Sequence, residues 1–330
     1  MRVVRRWLVG GFGFSAFLCA LFVSVEAQQP KKIARIGYIS GTGNAIDQGP
    51  YVEALRQGLR DLGYSEGTNI AIEYRGAESK LDLIPSLVVE LVQLKVDVLV
   101  GPTLSAARAA KQTTKTIPMV MVTGDPLAAG IVDSLARPGG NITGLATLNP
   151  NLSGKRVELL SETVPRLSRL GVLRHTQEPS STFEEYKAAA RVLKMQFEPI
   201  EVEGPNPDLE GAFQRAVKAR VGALITITSA PVFIARQRVA ELALKNRLPT
   251  MFGGSAWVEA GGLMSYSPND IDAFRRAATY VDKILRGAKP GELPIEQPMK
   301  FEFVINLKTA KQIGLTIPQK VLVRADRVIK

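Results

Sequence analysis

An apolar run over residues 33–39 ends in Ser40-Gly41-Thr42-Gly43, the pattern of a buried strand in a parallel sheet. Val52, Leu55, Leu59 and Leu62 then recur at helical spacing, and Gly63 predicts the helix end. Residues 69–74 alternate as a second strand, 81–94 read as a helix, and 96–100 as a third strand ending at Gly101-Pro102-Thr103. An alanine-rich helix over 105–115 and a fourth strand over 117–122 follow. Pro138-Gly139-Gly140-Asn141 is a turn, 143–147 a further short strand, and 149–153 a crossing segment. The pattern then restarts. Val157, Leu159, Leu160 and Val164 mark a helix. Strands are predicted at 170–173, 197–202, 223–228, 249–252 and 263–266, with helices at 183–195, 209–219, 232–245 and 270–285. A strand over 300–305, a helix over 307–313 and residues 321–323 form a tail between the two units. Such alternation predicts two successive α/β units whose parallel sheets are covered by helices on both faces. Ligands of such sheets bind at the carboxyl ends of the strands, beside a topological switch point.

The first residues break this pattern. Arg2, Arg5 and Arg6 precede an uncharged, mostly apolar stretch over 7–25, and Val25-Glu26-Ala27 fits the small-x-Ala cleavage pattern. This predicts a cleavable signal peptide over 1–27 and a chain exported by the general secretory route. Three glycines and the cleavage site argue against a retained anchor spanning a membrane. Cys19, the only cysteine, follows Leu18 rather than a small residue, which argues against a lipid anchor. The mature chain therefore has no disulfide and no thiolate chemistry. Its length, about 300 residues, suggests two domains with cores large enough to need no staples. Of the formal net charge of +11, the leader's three Arg and one Glu account for +2, leaving +9. Basic residues are interleaved with acids along helices, as in Glu53-Ala-Leu-Arg56, rather than clustered with aromatics. That distribution predicts a solvated surface and no nucleic-acid partner.

Catalytic signatures are missing. His175 is the only histidine, no Gly-x-Ser-x-Gly elbow is present, and no His, Cys or acidic cluster has zinc spacing. Gly41-Thr42-Gly43 lacks the third glycine of a dinucleotide fingerprint, and no phosphate loop exists. The reading is therefore a protein that is not an enzyme, with no metal and no cofactor. His175 is read as a surface or cleft polar group, and Glu184-Glu185 as solvated. What remains is a set of small polar residues at strand ends: Ser40 and Thr42, Thr103 and Ser105, Thr123 and Asp125 in the first unit. In the second they are Arg174 with His175, Thr228 with Ser229, and Tyr266. Hydroxyls here suit an anion, Asp125 an ammonium group, and Tyr266 stacking on a ligand. Each Ser or Thr also fits an ordinary helix N-cap, and Asp125-Pro126 also fits a turn start.

The segment from Gly124-Asp125-Pro126 through Gly130 and Arg137-Pro138-Gly139-Gly140-Asn141 to Thr143-Gly144 resembles the hallmark stretch of the ABC transporter substrate-binding protein family that includes tryptophan-import binding proteins. Ile36-Gly37-Tyr38, Thr116-Ile117-Pro118, Gly262-Leu263-Met264-Ser265-Tyr266, Ile305-Asn306-Leu307-Lys308, Gly314-Leu315-Thr316-Ile317-Pro318 and Arg324-Ala325-Asp326 share the resemblance, which spans nearly all of residues 33–329. It implies a type I periplasmic binding protein fold: two Rossmann-like lobes joined by three crossings, near residues 145–150, 267–270 and 298–305. Lobe one would comprise 28–147 with about 268–300, and lobe two 148–267 with about 301–330. It also implies a periplasmic monomer that captures a small solute, an aromatic amino acid favoured, for an ABC permease and its ATPase. The site residues would be Ser40, Thr42, Thr103, Ser105, Thr123, Asp125, Arg174, Ser229 and Tyr266. A sensor presenting the closed form to a membrane receptor or kinase is the alternative. An exported hydrolase lacks its nucleophile elbow. A sugar-responsive repressor would carry a helix-turn-helix where this chain has its leader.

Overall fold

A computed structural model of the chain describes residues 33–44, 46, 48–146, 152–176, 180–297 and 300–330. The predicted leader lies outside the described residues, as does the predicted crossing at 149–153 apart from its last two positions.

The first sheet collects β1 (Ala34–Ser40), β2 (Ile70–Gly76), β3 (Val98–Gly101), β4 (Met119–Thr123) and β5 (Ile142–Ala146). All pairings are parallel, in the order β2-β1-β3-β4-β5. β3, β4 and β5 are buried along their whole length, as expected of strands covered on both faces. The helices α1 (Gly49–Asp61), α2 (Ile84–Gln93) and α3 (Leu104–Thr113) link the strands. Chain order reverses between β1 and β3, which places a switch point there. Gly144, with φ +136°, leaves no room for a side chain, because a Cβ would sit 2.0 Å from the Met121 carbonyl oxygen.

The second sheet begins after α4 (Leu152–Thr163), the helix at which the pattern restarts. It contains β6 (Arg169–His175), then α5 (Ser180–Val192), β7 (Gln196–Val202), α6 (Leu209–Lys218) and β8 (Ala223–Thr226). Next come α7 (Ala230–Ile234), α8 (Arg236–Lys245), β9 (Thr250–Phe252), α9 (Ser255–Glu259) and β10 (Met264–Pro268). The helix predicted over 232–245 is thus two helices: Ala235 leaves helical geometry at ψ 16°, and its N–H closes the first helix on Pro231 O at 3.3 Å.

The chain then leaves this sheet. α10 (Asp270–Leu285) packs on the first sheet against α1, and contact is close enough that a Cβ on Gly58 would lie 2.2 Å from Arg275 O. Arg275 pairs with Asp61 at 2.7 Å and the Tyr64 hydroxyl donates to Asp282 at 2.9 Å across the same seam. Finally β11 (Phe301–Asn306) returns to the second sheet antiparallel to β10, followed by α11 (Leu307–Gln312), α12 (Gln319–Leu322) and β12 (Arg327–Ile329). The second sheet reads β12-β11-β10-β9-β8-β6-β7. The outgoing and returning connections run side by side: Pro268 is in register with Phe301, and Asn269 N–H donates to Lys300 O at 3.2 Å.

Each sheet is packed between two apolar layers. Val52, Leu55 and Leu59 of α1 and Phe274, Ala277 and Val281 of α10 cover one face of the first sheet, while Val88, Leu91, Ala106 and Ala110 cover the other. Val157, Leu160 and Tyr186 cover one face of the second, and Phe213, Val239 and Trp257 the other. Several helices end on a left-handed residue that is basic rather than glycine: Lys95, Lys194, Arg220 and Arg247. Part of the chain's positive charge therefore lies at helix carboxyl ends, where the dipole favours it. No helix among the described residues is long and apolar enough to cross a membrane.

Candidate ligand-binding site

The carboxyl ends of the parallel strands carry most of the residues singled out in the sequence. In the first lobe, the loop after β1 lies beside the start of α3: a Cβ on Gly41 would be 3.4 Å from the Thr103 methyl group. Ser40 and Thr42 are thus brought next to Thr103 and Ser105 across the switch point. Thr123 and Asp125 follow at the end of β4, the neighbour of β3.

Their polar atoms are largely engaged by the chain itself. Ser40 Oγ accepts from the N–H groups of Gly43 at 3.1 Å and Thr42 at 3.4 Å. Thr103 Oγ1 caps α3 by accepting from Ala106 N–H at 3.1 Å, and also accepts from Ser105 Oγ at 3.1 Å. Asp125 Oδ1 accepts from Leu127 N–H at 2.9 Å and Ala128 N–H at 3.0 Å, so the carboxylate starts the turn that carries Pro126. The loop 41–44 is pressed against β2, since a Cβ on Gly76 would lie 1.9 Å from Gly43 O.

The second lobe is different. Arg174 lies within β6, its Nε donating to Glu201 on β7 at 2.9 Å and its guanidinium stacked 4.1 Å above the Phe183 ring. His175 is not at the surface. Its ring is 1% exposed beneath the loop that follows β7, with Nε2 2.9 Å from Gly204 O, because β6 continues to residue 175 and pairs there with Val202. Glu185 is also not simply solvated: it accepts from Ser153 Oγ at 2.8 Å. Ser229 precedes α7 but does not cap it; its Oγ is buried and has no hydrogen-bond partner among the described residues. Tyr266 is half-buried, stacked on Phe301 with ring centroids 6.0 Å apart.

One residue of this region was not anticipated. Arg156, in the first turns of α4, is only 8% exposed. Its Nε donates to Tyr266 O at 2.7 Å and its Nη1 to the Tyr186 hydroxyl at 2.9 Å. No carboxylate pairs with it among the described residues. Leu152, Leu159, Leu160 and Thr163 share the buried stripe on which it falls, so a charged residue on an apolar helix face was the available signal.

The seam between α1 and α10 holds a second unforeseen group. Asp270, at the first turn of α10, receives the Tyr51 hydroxyl at 3.4 Å. Burial, reinforced by the nearby Glu302 carboxylate and opposed by the Tyr51 hydrogen bond, pushes its carboxyl up to about 6. No group of His, Cys, Asp and Glu able to hold a metal occurs among the described residues.

The profile of the ABC transporter substrate-binding protein family matches residues 39–329. The chain belongs to this family. The family is one of substrate-binding proteins, not of enzymes. Among its relatives, a tyrosine-binding protein of Clostridioides difficile is 26% identical over 267 residues, covering 78% of this chain and 74% of that protein. A conserved domain protein from Vibrio cholerae superposes with a TM-score of 0.80 at 29% identity, over 90% of this chain and 100% of its own. An ABC domain from Streptococcus pneumoniae solved in complex with L-Trp superposes equally well, at 27% identity over 90% and 99% of the two chains. This substrate-binding protein has the two-lobed type I periplasmic binding fold, which it shares at 13% identity and TM-score 0.56 with a leucine-binding protein from Thermotoga maritima.

Proposed function

We propose that this substrate-binding protein captures an amino acid, with an aromatic side chain favoured, between its lobes and delivers it to an ABC permease driven by an ATPase. The observation that carries the reading is the match along nearly the whole chain to a structure that holds L-Trp, supported by the relative that binds tyrosine. In this reading the leader over 1–27 is removed on export, and the mature chain works in the periplasm as a monomer. Lobe one comprises 28–147 with about 268–300, and lobe two 148–267 with about 301–330.

The mechanism is hinge closure. Open and closed forms exchange, and the ligand contacts both lobes only in the closed form. The paired connections at Pro268–Asn269 and Lys300–Phe301 provide a narrow region about which the lobes can turn. Closure excludes water from the polar contacts and strengthens them. The surface around Ser40, Thr42, Thr103, Ser105, Thr123 and Asp125 forms the lobe-one wall, while Arg174, Ser229 and Tyr266 belong to the wall that closes over it. The closed form is what the permease recognises.

Thermal shift of the purified mature protein against a panel of amino acids tests the reading. L-tyrosine and L-tryptophan are expected to raise Tm, and aliphatic or acidic amino acids to leave it unchanged. A protein indifferent to every amino acid would count against the assignment. Asp125→Ala, run alongside, is expected to lose ligand stabilisation, and unchanged stabilisation would remove Asp125 from the site.

A further inference from the structure

We infer that the carboxylate-anchoring pole of the site lies in lobe two, on Arg156 together with Thr228 and Ser229 in the loop after β8, beside Gly253 at the end of β9. The inference deepens the proposed function and rests on its reading of a cleft-bound solute. It is carried by an imbalance. Arg156 is more than nine-tenths buried, yet its described partners are a carbonyl oxygen and a neutral hydroxyl. Glu185, on the helix that carries Tyr186, accepts from Ser153 instead. A guanidinium desolvated without a counter-ion is costly, and neutral acceptors offset that cost only in part. The two hydrogen bonds fix the plane of the group and leave Nη2 without a partner among the described residues.

Nη2 faces a small space beside Gly253. A Cβ on Gly253 would lie 3.4 Å from Arg156 Nη2 and equally 3.4 Å from Thr228 Oγ1, so both atoms border the same position, and glycine keeps it open. Thr228 is exposed, and the next residue, Ser229, holds a 3% exposed side chain whose Oγ has no partner among the described residues. A carboxylate at this place would receive a charge-assisted hydrogen bond from Nη2 and a neutral one from Thr228 Oγ1, with the unpartnered Ser229 hydroxyl on the next residue, and would supply the missing negative charge. Tyr266, whose carbonyl receives Arg156 Nε, presents a partly exposed ring next to it, which suits an α-amino acid or other carboxylate with an aromatic body.

The test is calorimetric titration of wild type, Arg156→Gln and Arg156→Lys with L-tyrosine and L-tryptophan and with their decarboxylated amines, tyramine and tryptamine. Wild type is expected to prefer acid over amine. Arg156→Gln is expected to weaken the acid by about 30-fold, to shift the amine by less than about threefold, and so to erase the preference. Arg156→Lys should fall between, since a point charge replaces the planar fork. Equal losses for acid and amine would assign Arg156 to architecture alone and overturn the inference, as would wild-type affinity in Arg156→Gln. Should Arg156→Gln fail to fold, Thr228→Val and Gly253→Ala carry the same expectation of an acid-selective loss. If wild type binds none of these amino acids, the amino-acid reading fails, and 3-phenylpropionate and indole-3-propionate become the probes. Arg156-dependent binding of those acids would uphold the anion pole, and its absence would overturn it.

Discussion

The two lobes present their strand ends in opposite states. At the edge of lobe one, Ser40, Thr103 and Asp125 already accept from backbone N–H groups of the turns and helix they start. At the edge of lobe two, Ser229 has no partner and Arg156 has a terminal nitrogen unmatched, among the described residues. The same architecture thus gives one wall whose polar side chains stabilise the fold and another whose polar side chains have capacity left for a ligand. In lobe one, Ser40 Oγ, Thr103 Oγ1 and Asp125 Oδ1 are committed to the backbone, and the second Asp125 oxygen remains for a ligand. Lobe two carries uncompensated polarity, and such groups in a native structure call for a partner.

The sharpest way to break this contrast is Gly76→Ala. Its Cβ would meet Gly43 O at 1.9 Å, so the loop 41–44 must move. Chemical denaturation is expected to show a loss of about 3 kcal/mol, with ligand affinity falling as well. A variant as stable as wild type would show that the lobe-one wall is looser than described.

Asp270 tests the seam between α1 and α10 in lobe one. Its folded pKa of about 6 lies above the ordinary 3.8, so the fold favours its protonated form. That contribution is full below about pH 4 and is lost as pH rises through about 6. Asp270→Asn is therefore expected to gain about 2 kcal/mol relative to wild type at pH 8, the difference shrinking towards pH 4. A pH-independent difference in denaturation midpoints would remove the titration from the account.

Smaller effects separate the walls directly. Thr103→Ala deletes a helix cap and should cost about 1 kcal/mol. Ser229→Ala removes a hydroxyl with no described partner and should leave the ligand-free protein within about 0.5 kcal/mol of wild type while weakening ligand binding. Were Ser229→Ala to destabilise as much as Thr103→Ala, the two walls would be alike and the contrast would be lost. Gly253→Ala should change stability least of all, since 3.4 Å is an ordinary contact, and its effect should be read in affinity.

Much of the fold was legible because burial on both faces imposes a recognisable run of apolar residues. Residues 117–122 predict β4 to within two residues at either end, and the spacing of Val52, Leu55 and Leu59 gives α1. Short elements such as α9 and β12 were not legible, since a period needs more positions than they contain. The break at Ala235 was hidden because the residues on both sides keep helical spacing. His175 was misplaced because its burial depends on the loop after β7, 29 positions onward. The strand-end polar residues were legible as a set. Which of them cap or turn the backbone was not, because that depends on where particular N–H groups point.

By itself the sequence determined the alternation of strands and helices, the parallel sheets, the absence of catalytic signatures and the family. All of these follow from local periodicity and residue type, or from a motif contiguous in the chain. Only the tertiary structure decided how closely α10 packs on α1, with no room for a side chain at Gly58, and that Arg156 is buried with no acid paired to it among the described residues. It also decided that Ser229 fails to cap the helix it begins. These depend on packing between segments far apart in sequence, where the balance of charge and hydrogen bonds is set by neighbours that no local pattern names.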